Sequence, residues 1–85
     1  MGSRQIRLDL GKGAESRLAA MLVQVASRYD SSVHVEHGNH HVNAKSIMGM
    51  MSLALRSGDT IIVTADGPDE ASALEGIEEY LTGKK

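Results

Sequence analysis

The sequence predicts an α+β fold, with helices packed on one face of an antiparallel sheet in the order β-α-β-β-α-β-α. Two patterns predict it. Apolar residues alternate with polar ones around Ile6–Leu10, Val33–Val42 and Thr60–Ala65, but recur every three or four positions in Leu18–Tyr29 and after Pro68. Turn residues separate these stretches without any linker or repeat, so the 85 residues make a single domain.

Ile6, Leu8 and Leu10 alternate with Arg7 and Asp9, as in a half-buried strand, which Gly11 and Gly13 then end. Leu18, Met21, Leu22, Val25, Ala26 and Tyr29 line one face of a helix and leave Arg17, Gln24 and Arg28 to solvent. Ser16 is the expected N-cap, with Glu15 beside it near the positive end of the helix macrodipole. Val33 and Val35 restart the alternation, and Gly38-Asn39 suits a two-residue type II′ turn. Pairing outward from that turn sets His37 opposite His40, Glu36 opposite His41 and Val35 opposite Val42. Ser46 then precedes Ile47-Met48-Gly49-Met50-Met51-Ser52-Leu53-Ala54-Leu55, too apolar all round for a fully solvated helix. Arg56–Asp59 reads as a turn and Thr60–Ala65 as a strand, with Ile61 and Val63 on one face. Gly67-Pro68 is expected to open the last helix, Pro being at home in the first helical position. Its expected inward stripe is Ala71, Leu74, Ile77 and Leu81. Asp69 and Glu70 lie near its start, while Gly83 and Lys84-Lys85 close its end.

Composition removes several classes of function. Nine basic against eleven acidic residues leave a net charge of -2, and two Tyr are the only aromatics. Direct nucleic-acid binding, which wants a basic surface and stacking platforms, is not expected. No apolar run approaches the roughly 20 residues that span a bilayer, and the first residues carry no signal-peptide core. With no Cys, a disulfide framework, a thiolate metal site and a thiol nucleophile are all excluded. The expectation is a cytoplasmic domain with no cofactor and no membrane contact.

Three features could carry chemistry. His34, His37, His40 and His41 lie within eight residues, but the hairpin register lets only His37 and His40 converge, short of the ligands a zinc site needs; no metal is expected. Ser16 has no adjacent His to activate it and reads as a cap. Met48, Met50 and Met51 are three of five methionines in four positions. Positions 48 and 50 lie about 200° apart on a helix, so not all three sulfurs point inward. Either this is a Met-rich core helix or part of it is an adaptable contact surface. Ser46 at its N-cap would tolerate a phosphate beside the free N–H groups and the dipole, which makes it a candidate switch.

Val42-Asn43-Ala44-Lys45-Ser46-Ile47-Met48-Gly49-Met50-Met51-Ser52-Leu53 resembles the regulatory serine segment of HPr, the histidine-containing phosphocarrier of the phosphotransferase system. Leu22–Ser27 resembles that family's first helix and Ala65–Glu70 the entry to its last one, so the likeness covers almost the whole chain. The resemblance implies an open-faced sandwich, with three helices on one face of a four-stranded antiparallel sheet. Carriers of the family have Gly-Ile-His-Ala-Arg-Pro at the entry to the first helix, where the His accepts phosphate from phosphoenolpyruvate through enzyme I. Here the segment reads Gly13-Ala14-Glu15-Ser16-Arg17-Leu18: Arg17 remains, but Glu15 stands in the His position and Leu18 in that of the Pro.

A retained Ser without the His is the pattern of the Crh subgroup, which has Gln where Glu15 stands here. The resemblance implies a non-enzymatic protein phosphorylated on Ser46 by HPr kinase/phosphorylase. It would then act as corepressor of a LacI-type catabolite control protein. Ile47, Met48 and Met51 would be the apolar partner contacts, Arg17 would lie near the phosphoserine, and exchange of the first strand would allow a homodimer. Two alternatives stay open: a phosphocarrier with an altered acceptor, Glu15 or a histidine such as His41, or a divergent paralogue in which Ser46 only caps its helix.

Overall fold

A computed structural model describes residues 1–10 and 17–83. Strands β1 (Gly2–Arg7), β2 (Ser32–His37), β3 (His40–Asn43) and β4 (Thr60–Asp66) and helices α1 (Leu18–Ala26), α2 (Ile47–Ser52) and α3 (Glu70–Thr82) follow the predicted order. The four strands pair antiparallel in the spatial order β1-β4-β2-β3, leaving β1 and β3 at the edges. Alternation decides the two faces. Ile6, Val33, Val35, Ile61, Val63 and Ala65 are buried, whereas Gln5, Arg7, Glu36 and Thr60 at the intervening positions are exposed. Leu18, Leu22, Val25 and Ala26 of α1, Met50 of α2, and Ala73, Leu74, Ile77 and Leu81 of α3 complete the same core. Each buried Leu or Ile adds roughly 1.5–3 kcal/mol of burial free energy, which lets an interior of aliphatic side chains and one methionine hold the fold.

The hairpin register is the predicted one, with His37 opposite His40 and Val35 opposite Val42. Gly38 has φ 61° and Asn39 no positive φ, as a type II′ turn requires. Three boundaries differ from expectation. β1 begins at Gly2 and ends before Leu8, which is buried and bonds the backbone of Gly58 and Asp59. The core-side positions of its first half are Gly2, packed near Leu74, and Arg4, paired with Glu78 of α3 at 2.6 Å, so no apolar alternation marks them. Arg17 holds the N-cap position of α1 and makes no side-chain cap; Ser16, with Glu15, Gly11 and Gly13, lies outside the described residues, as do Lys84 and Lys85.

The third difference is at α3, which starts at Glu70 with Asp69 as N-cap rather than at Pro68. Asp69 does not cap its own helix. Its carboxylate accepts the backbone N–H groups of Asp30 and Ser31, each at 2.9 Å, and the Ser31 hydroxyl, while Ser31 Oγ accepts Asp69 N–H at 3.2 Å. This latch joins the start of α3 to the start of β2. The inward stripe is Ala73, Leu74, Ile77 and Leu81; Ala71 is exposed, because six residues before Ile77 is about 120° around the helix. Gly83 ends α3 in the left-handed conformation, φ 72°.

The Ser31 hydroxyl, followed by the backbone donors, lowers the pKa of Asp69 below its ordinary 3.8. A depressed carboxylate stabilises the fold fully above the unfolded-state value and loses that contribution as pH falls through the folded-state value. Between pH 5 and the acid limb, the urea midpoint of the parent should therefore fall faster than that of Asp69→Asn. Equal acid slopes would mean the latch is not ionic.

Ala54, just after the C-cap of α2, has φ 50°. A Cβ in the left-handed region costs about 1–2 kcal/mol. Ala54→Gly removes that strain from an exposed site, offset by the greater freedom of glycine in the unfolded chain. The expected net gain is about 0.5–1 kcal/mol, read as a higher urea midpoint at unchanged slope.

Candidate functional site

The turn from β3 into α2 is built by local hydrogen bonds. Asn43 Oδ1 accepts the Lys45 N–H at 2.8 Å and Asn43 O accepts the Ser46 N–H at 3.0 Å, an Asx-type turn. Lys45 Nζ then donates to Tyr29 O at 2.7 Å, tying the turn to the segment that follows α1. Sequence alone carried no sign of this tie, which spans sixteen positions. The Asn two residues before Lys45 could have signalled the turn.

Ser46 is extended, φ -103° and ψ 113°, as an N-cap must be, and its Oγ accepts the Gly49 N–H at 3.2 Å. Helix α2 lies close on β3 here. A Cβ added at Gly49 would stand 3.2 Å from Val42 Cβ and 3.4 Å from Ser46 Oγ. The Ser46 hydroxyl makes no hydrogen bond to a carboxylate or imidazole among the described residues. Among the described residues no general base is therefore placed to take its proton.

The methionines of α2 divide as helical geometry requires. Met50 is 2% exposed and points into the core, whereas Met48 is 77%, Met51 63% and Ile47 40% exposed. Ile47, Met48 and Met51 are neighbours on one face, at spacings of three and four. The short helix is therefore core on one side and exposed apolar surface on the other. Ser46 opens this helix. Arg17 is exposed at the start of α1, a helix packed beside α2, but its charge acts on Tyr80 of α3, and it makes no bond to Ser46. Burial raises the Tyr80 pKa, and Arg17 partly opposes it. Glu15, in the family's phosphoacceptor position, lies outside the described residues.

The histidines do not gather as expected. His37 and His40 are opposite in register, but the rings in contact are those of His34 and His41, stacked on the open face with centroids 5.1 Å apart. These two sit diagonally across the hairpin, within reach of each other as well as of their direct neighbours. His37 instead turns toward Asp59 at 3.6 Å. No three His, Asp or Glu side chains among the described residues are placed to hold a metal ion, and none of the described helices is long and apolar enough to cross a membrane.

Residues 3–83 match the family described as the PTS HPr component phosphorylation site. The HPr-like protein Crh of Halalkalibacterium halodurans is 42% identical over 81 residues, covering 95% of this chain and 96% of that protein. The crystal structure of the phosphocarrier protein HPr from Bacillus anthracis superposes with a TM-score of 0.87 at 39% identity, over 94% of this chain and 95% of that one. Selenomethionyl Crh from Bacillus subtilis, described as a swapped dimer, gives a TM-score of 0.74 at 40% identity, over 94% of this chain and 87% of that one.

Proposed function

The chain belongs to the HPr family, with Crh among its relatives, and on that premise we propose that it is a non-enzymatic regulatory protein of carbon catabolite control. HPr kinase/phosphorylase phosphorylates Ser46, and the phosphoprotein serves as corepressor of a LacI-type catabolite control protein in the cytoplasm. The observation that supports this most is the placement of Ser46 directly before three exposed apolar side chains, Ile47, Met48 and Met51, on a short helix anchored in the core by Met50. Phosphorylation adds about 1.5–2 negative charges and three strong acceptor oxygens at that point. Arg or Lys of the regulator gains charge-assisted hydrogen bonds to them, while the apolar side chains supply buried area and Arg17 completes the surface offered to the partner.

The sequence change at the first helix supports the same reading against a phosphocarrier. Glu15 in place of the acceptor His offers no imidazole nitrogen, and its charge repels an incoming phosphoryl group. Crh of Bacillus subtilis is described as a swapped dimer; this chain has β1 at a sheet edge, suited to exchange between two copies, and a homodimer is part of the proposal. Titration of a LacI-type catabolite control protein with the phosphorylated and unphosphorylated chain tests it. Tight binding of the phosphorylated form alone is expected; equal binding of both forms, or of neither, contradicts it.

A further inference from the structure

We propose that α2 is an oxidant-sensitive docking helix, in which peroxide converts Met48 and Met51 to sulfoxides and so releases the partner without unfolding the protein; this rests on the docking role proposed above. Cys is absent, so the five methionines hold all the oxidisable sulfur of the chain, and no thiol competes for the oxidant. Susceptibility follows exposure. Within one helical turn the structure sets Met48 and Met51, 77% and 63% exposed, against Met50 at 2%. Oxidation is thereby directed to the contact face and away from the core.

The step balances without a cofactor. A lone pair of the methionine Sδ attacks one oxygen of hydrogen peroxide, the S–O bond forms as the O–O bond breaks, and the second oxygen leaves as water after proton transfer. Sulfur is oxidised by two electrons and the peroxide is reduced by two. A flexible apolar thioether becomes a polar, chiral sulfoxide, and methionine sulfoxide reductases reverse the change. Met1 is also exposed, at 84%, but extends from β1 rather than α2.

The test treats the full-length phosphorylated protein with hydrogen peroxide, quenches it, maps each methionine by peptide mass spectrometry, and measures affinity for the LacI-type regulator. Met48 and Met51 should oxidise at least about tenfold faster than Met50, and affinity should fall by about tenfold or more, since each side chain contributes buried apolar area. The far-ultraviolet dichroism should not change, and reductase treatment should restore binding. In the M48L/M51L double variant, whatever its own starting affinity, peroxide should alter binding less than twofold. Oxidation of Met50 at the same rate, unchanged affinity after oxidation, or a peroxide effect that persists in the double variant would each overturn the proposal. If the untreated phosphoprotein does not bind, the docking role and this inference fall together; if it binds and oxidation leaves binding intact, the inference alone fails.

Discussion

Ser46→Ala should yield a folded protein that takes up no phosphate from ATP in the presence of HPr kinase/phosphorylase. The hydroxyl is both the proposed acceptor and the N-cap of α2, where it receives the Gly49 N–H. Losing a Ser cap costs about 1 kcal/mol, too little to unfold a core that does not depend on it. The next hydroxyl along the helix does not take its place: Ser52 lies almost two turns further on, and its Oγ is occupied in donating to Gly49 O at 2.6 Å. Ser46→Asp should restore the cap and a favourable dipole interaction. It brings one charge and no tetrahedral oxygens, so its binding to the regulator should stay weak. Radiolabel uptake and thermal melts of the parent and both variants read these outcomes together. Undiminished labelling of Ser46→Ala would place the phosphate elsewhere.

Gly67→Ala should be the most damaging single methyl addition among the described residues, with a loss of about 3 kcal/mol. Gly67 joins β4 to α3 at φ 155°, and an added Cβ would meet Ser31 Cα and Oγ at 2.7 Å. The obstacle is backbone, and Ser31 is held by the Asp69 carboxylate, so neither side can give way without breaking the latch. Gly58→Ala separates the two contributions. Its φ of 96° is equally foreign to an L side chain, but nothing stands within 4 Å of the new methyl. That variant should lose only about 1 kcal/mol, the conformational cost alone. Urea denaturation of both compares them directly, and equal losses would mean that the contact with Ser31 relaxes freely.

Much of this fold was legible because its signals are local. The hairpin register follows from a two-residue Gly38-Asn39 turn, and the Ser46 cap from a hydroxyl before an apolar run. What sequence did not reveal depends on distant partners. The first half of β1 is written in Gly2 and Arg4, whose inward contacts are with Leu74 and Glu78 more than seventy positions away. Asp69 looked like an acidic residue for the macrodipole, but spends its carboxylate on the backbone of Asp30 and Ser31. Periodicity over a six-residue helix could say that three methionines do not share one side, and the packing of α2 against α1 and β3 decides which one is buried. For the histidines, the direct cross-strand pairing was read, and the diagonal stacking of His34 on His41 was not.

The most direct test of a switch at Ser46 sets two phosphate donors side by side. The intact protein is incubated with ATP and HPr kinase/phosphorylase in one reaction, and with phosphoenolpyruvate and enzyme I in another. Each product is then mapped by mass spectrometry under conditions that preserve phosphohistidine. A single phosphate on Ser46 from ATP, with none from phosphoenolpyruvate, is the expected result. Acid-labile phosphate on a histidine, or on Glu15, from phosphoenolpyruvate would contradict it, and an unmodified Ser46 after the ATP reaction would leave that serine as a helix cap alone.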